Sequence, residues 1–132
     1  MIYIVSNAAA ILVATMASLG FGALYYGATS RGRPRPSGLA GTLAIAFVAK
    51  FWLCSILAGA LILAPPKAGV WTMTLGSAFV IWIGFVAPVI IATYRHRALG
   101  MQKALIDCGH WLGAMLVQAV VLRLIGLVPP PI

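Results

Sequence analysis

Glutamate is absent from these 132 residues, and Asp107 is the single aspartate against nine lysines and arginines. Paired carboxylates for acid/base work cannot be built within one chain, and neither can most sites for hard metal ions. Charge of either sign is scarce: 8% of residues are charged where a soluble domain carries roughly a quarter. Cysteine is limited to Cys54 and Cys108, each inside a long apolar stretch at a different depth, which argues against a disulfide. There is no glycine-rich phosphate loop, zinc-ligand spacing or Ser/His/Asp arrangement. These absences weigh against an enzyme and point to no cofactor and no metal.

What fills the chain is apolar: 63% of residues are hydrophobic. Four long stretches read as membrane-crossing helices, each about 20 residues or more at 1.5 Å rise per residue. Their predicted bounds are about 4–28, 39–64, 70–93 and 104–127, within a single transmembrane domain over 1–132. Prolines punctuate them. Arg31 to Pro36 ends the first, Pro65 and Pro66 close the second, and Pro129 to Pro131 follow the fourth. The fold class expected is all-α and polytopic, a four-helix bundle in which each span is long enough to tilt. The start lacks the basic n-region of a signal peptide and is read as a retained first span.

Arg31, Arg33 and Arg35 lie in the first connection and Arg95, Arg97 and Lys103 in the third, while the second holds only Lys67. By the positive-inside rule the arginine connections face the cytoplasm and both termini face the periplasm of a bacterial inner membrane. The same six cations would meet anionic headgroups or acidic partner surfaces, at about 1 kcal/mol each. They flank spans rather than line a soluble face, so nucleic acid is not the expected partner. Tyr3, Tyr25, Tyr26, Trp71 and Tyr94 fall at predicted span ends, as interfacial aromatics should. Trp52, Trp82 and Trp111 do not, so they pack between helices or face lipid tails.

Small residues recur at helical spacing: Ala10, Ala14, Ser18 and Gly22 on the first span, Gly76 with Gly84 on the third, Gly109 with Gly113 on the fourth. Such faces let helices approach closely, within one chain or between copies. A shift of 64 positions aligns residues 20–33 with 84–97 at seven of fourteen positions, which suggests two repeated helical hairpins in parallel orientation.

A polar cluster is expected toward the arginine side. Counting from the span ends, Lys50 lies roughly 16 Å deep, Asp107 and Pro88 roughly 9 Å, and His110 between them. Pro88 lacks an N–H, so the Gly84 carbonyl loses its helix partner and could accept from Lys50 or His110. Lys50 has Asp107 as its one acidic partner in sequence, and an intramembrane charge suggests function. The alternatives are structural: Lys50 snorkelling along its stem, and Asp107 held near a helix start by the dipole. His96 sits in a loop, leaving His110 without a second imidazole for a metal. Arg123 is expected to snorkel to headgroups, and Asn7 and Gln118 to hydrogen-bond between helices.

The segments Gly22-Ala23-Leu24-Tyr25-Tyr26, Gly84-Phe85-Val86-Ala87-Pro88 and Ile106-Asp107-Cys108-Gly109-His110-Trp111, in that order after Asn7, resemble the bacterial family called domain of unknown function 1761. The family typically has Trp-Tyr in place of Tyr25-Tyr26, and an aromatic where the first loop here carries arginines. The resemblance implies a small four-helix integral membrane protein and no assigned activity. Two roles follow from the residues: a non-catalytic accessory or scaffold subunit of a larger membrane complex, or a homo-oligomeric transporter or channel using Lys50, Asp107 and His110.

Overall fold

The structure is a computed structural model and describes residues 1–29 and 37–131. Arg31, Arg33 and Arg35 lie outside the described residues.

Every regular element is helical: α1 (Ile2–Ser6), α2 (Ala8–Thr29), α3 (Leu39–Leu63), α4 (Val70–Ile81), a π-helical turn (Trp82–Val86), α5 (Ala87–His96) and α6 (Met101–Ile125). Four stretches are long and apolar enough to cross a membrane: α2, α3, the run Val70–His96, and α6. The predicted spans are thus present with shifted ends. The first breaks at Asn7, whose side-chain amide bonds back to the Tyr3 carbonyl at 2.8 Å. The third continues through His96, because nothing in Tyr94-Arg95-His96 stops a helix and a cation in the last turn suits its dipole.

Helix α6 is the hub. It packs on α2, on α3 and on the whole third span, whereas the backbones of α2 and the third span stay apart among the described residues. The four spans therefore form a ring in chain order, with α3 and α6 closing across it. The two hairpins suggested by the sequence are both present, but the π-helical turn in the third span has no counterpart in α2, so the aligned segments differ in local form.

The core is built largely from small side chains. Ala10, Ile11 and Ala14 of α2 meet Cys54, Leu57, Ala58 and Leu61 of α3, Ala78 of α4, and Met115, Ala119 and Leu122 of α6. Lipid tails are as apolar as leucine, so helix association here rests on close van der Waals packing. Alanine and glycine permit it. The Phe21 ring lies over Gly113, Tyr25 Oη over Gly109 and Tyr3 Oη over Gly59, each occupying the space a Cβ would need. Gly76 and Gly84 of the third span differ: nothing lies within 4 Å of where their Cβ would be. Both cysteines are buried free thiols.

Candidate functional site

Two groups of polar side chains lie in the arginine-side half of the bundle and at its middle.

The outer group surrounds Asp107. Helix α6 begins at Met101, so Asp107 stands well beyond its first turn, where the dipole no longer holds a carboxylate. Tyrosines hold it instead: Tyr26 from α2 donates to Oδ1 at 2.8 Å, and Tyr94 from α5 donates to Oδ2. Tyr25 donates to the Ile106 carbonyl at 2.8 Å. These three aromatics, expected at the interface, also clamp α2 and α5 to the start of α6.

The inner group centres on Lys50, whose residue is 3% exposed. It lies about 16 Å along α3 from Leu39. Its Nζ donates to the Ser18 carbonyl at 2.8 Å, so it neither snorkels nor forms the ion pair with Asp107 that the sequence suggested. The carbonyl is nearer, while the carboxylate is already occupied by two hydroxyls. Gln118 Nε2 reaches both Ser18 Oγ and the Lys50 carbonyl, at 3.1 Å each, linking α6 to α2 and α3. Gly22 makes the arrangement possible. A Cβ there would stand 2.8 Å from both Lys50 Nζ and His110 Cε1, so the two basic side chains meet over bare backbone.

His110 is enclosed by rings. Tyr26 lies 4.5 Å from it between centroids, Trp111 5.4 Å, Tyr25 5.7 Å and Phe21 6.3 Å. Trp111 also lies under Lys50, with Nζ 5.8 Å from the ring centroid, a cation–π distance. Two buried polar atoms in this pocket have no hydrogen-bond partner: His110 Nδ1 and Gln118 Oε1.

Of the sequence-derived cluster, Lys50 and His110 come together, and Asp107 sits one turn outward of His110 with its own partners. Gly84 and Pro88 do not join them. Both face outward from the bundle. The turn containing Gly84 widens, so that the Ala87 N–H reaches back to the Trp82 carbonyl. This places the strain of Pro88 on the lipid side, away from Lys50 and His110. Trp82 donates to the Cys108 carbonyl at 2.9 Å, fixing the widened turn against α6. Arg123 is half-buried, and its Nε donates to Thr74 Oγ1 at 2.9 Å. Asn7 bonds not to another helix but to the segment after α6, exchanging two hydrogen bonds with the backbone of Val128 at 2.9 and 2.7 Å. Arg95, Arg97 and Lys103 are exposed at the arginine-side end.

Ser18, Gly22, Tyr26, Tyr94 and Trp111 were not legible as parts of one site. The available signal was in the motifs: Gly22 to Tyr26 and Ile106 to Trp111 pack directly on one another here, through Tyr25 on Ile106, Tyr26 on Asp107, and Gly22 under His110.

Beyond the inner group the interior is packed: Ile11, Leu57 and Leu122, with Thr15, Ser55 and Thr74 among them, are fully buried between Gln118 and the far end.

Helices of this length and apolarity, with polar groups turned inward, define a four-span integral membrane protein. The chain belongs to the family described as protein of unknown function (DUF1761), whose family model matches residues 9–123. No curated protein and no solved structure matches it.

Proposed function

We propose that this chain is a non-catalytic accessory or scaffold subunit that docks in the membrane through the outer face of its third span. The observation that carries the reading is the low burial of the third span, which also carries two bare glycines. The glycines at 22, 109 and 113 are consumed by packing within the chain, whereas Gly76 and Gly84 are bare, as are Gly20 and Gly27 of α2 and Gly41 of α3. The third span has 11% of its most apolar stretch buried within the chain, against 33% for α2 and α3 and 39% for α6. A bare glycine gives a partner helix close backbone approach, which in a bilayer is a principal source of affinity. Beside Gly76 lies a recess of about 430 Å³ lined by Ala60, Thr72, Met73, Ser77, Val80 and Ile81.

Arg95, Arg97 and Lys103, with Arg31, Arg33 and Arg35, then lie against anionic headgroups or an acidic partner surface on the cytoplasmic side of a bacterial inner membrane. Both termini face the periplasm. Reporter fusions to the C-terminus test this orientation: an enzyme active only in the periplasm should be active there, and inactivity overturns the assignment.

Docking is tested by mass determination in nanodiscs for the unaltered chain and for Gly76→Leu. Assemblies larger than one chain, from self-association or a bound partner, should be present and be lost in Gly76→Leu. A single-chain particle unaffected by the substitution overturns the reading.

The homo-oligomeric transporter or channel is supported by the buried Lys50 and His110, and weighed against by the packed plug beyond them. Its path would have to run between copies, and proteoliposome flux sensitive to Lys50→Gln is the measurement that would favour it.

A further inference from the structure

The inner group presents two basic side chains in a buried interior and no acidic one. Lys50 and His110 meet over Gly22, Asp107 is taken up by Tyr26 and Tyr94, and the contact from Lys50 to Ser18 is to a neutral carbonyl. An ammonium has three donors and needs compensation when desolvated. His110 is 4% exposed, and its Nδ1 has no partner. What this pocket lacks is an anionic acceptor.

The route to it is apolar. A groove of about 550 Å³, within the usual range of ligand sites, runs between α3 and the third span, lined by Val48, Trp52, Leu53, Phe85, Val89 and Trp111. Trp111 is shared: one side of its surroundings is the groove, and Lys50 Nζ stands 5.8 Å from its ring. At about 16 Å from the end of α3 this site is below the reach of phospholipid headgroups. A ligand entering here must be a long apolar chain whose single polar group can cross hydrocarbon uncharged.

We infer that the groove and the Lys50–His110 pocket together bind a long-chain carboxylic acid, its chain along Trp52 and Phe85 and its carboxyl group at Lys50. The carboxylate accepts from the Lys50 ammonium and from His110 in the tautomer carrying its proton on Nδ1. Trp111 is the partition that turns aside to admit it. This reading does not rest on docking through the third span.

Tryptophans lining the groove supply the assay. The chain in nanodiscs is titrated with stearic acid brominated at mid-chain, a contact quencher of indole fluorescence, and with its methyl ester. The acid should bind about tenfold more tightly than the ester, the difference expected of one charge-assisted hydrogen-bonded pair. That preference should persist at about 1 M salt, where the Debye length is about 3 Å and exposed arginines no longer attract the acid. It should vanish in Lys50→Gln. Equal quenching by acid and ester overturns the proposal. So does a preference that collapses with salt, which would put the acid at the surface, or one that survives in Lys50→Gln. The acid–ester and salt comparisons use the unaltered protein and decide the matter even if the variant does not fold.

Discussion

A carboxylate inside an apolar bundle needs a cation or several donors, and Asp107 has taken the hydroxyls of Tyr26 and Tyr94. Hydrogen bonds to charged groups contribute about 1.5–3 kcal/mol. Tyr26→Phe should therefore destabilise the chain by about 1–2 kcal/mol in detergent unfolding titrations, allowing for partial exposure. Combining it with Asp107→Asn should cost less than the sum of the two, because both remove the same bond. Gln118 acts at the centre, tying three helices through Ser18 and Lys50. Interhelical hydrogen bonds in membranes average about 0.6 kcal/mol, so Gln118→Leu should lower stability by about 1 kcal/mol in the same titration, for two such bonds.

Among the helices, individual glycines are either covered by a neighbouring ring or left bare. The Phe21 ring occupies the position of a Gly113 side chain, so Gly113→Ala should cost about 1–3 kcal/mol by overpacking α2 against α6. Gly76→Ala meets nothing and should leave the isolated chain unchanged or more stable by up to about 1 kcal/mol, from helix propensity alone. Thermal unfolding of the two variants side by side checks the contrast. The third span carries a second element-level feature, the widened turn at Trp82–Val86 ahead of Pro88. Pro88 indicated that a backbone bond would be lost. Which face would bear the loss depends on α6, through the bond from Trp82 to Cys108.

For the whole molecule, the polar groups and the plug divide the bundle into unlike halves. Tyr26, Asp107, His110 and Lys50 lie toward the arginine side, and Ile11, Leu57 and Leu122 close the far side. One chain should consequently conduct no ions: proteoliposomes holding dispersed single chains should show the conductance of empty vesicles. The architecture was readable in sequence because bilayer thickness and the need to satisfy every backbone group allow so few solutions. Four apolar runs, parted twice by proline-rich breaks and once by a basic link, left only the helix ends to find. The candidate site was readable in part. Lys50 and His110 stood out as ionisable residues within spans, but Gly84 and Pro88 were grouped with them by depth alone, and depth says nothing about which side of a helix a residue occupies.

The sequence by itself determined the class, the number of spans and the asymmetry of charge, because hydropathy, proline placement and loop cations act locally and add along the chain. Tertiary structure alone decided the partners: that Lys50 bonds a carbonyl and not Asp107, that Arg123 turns to Thr74, and that Gly113 is covered while Gly76 is bare. Those choices depend on helix rotation. In a chain this rich in alanine and glycine the spans are apolar on every side, so no amphipathic pattern fixes rotation in advance, and it is set only when the helices close on one another.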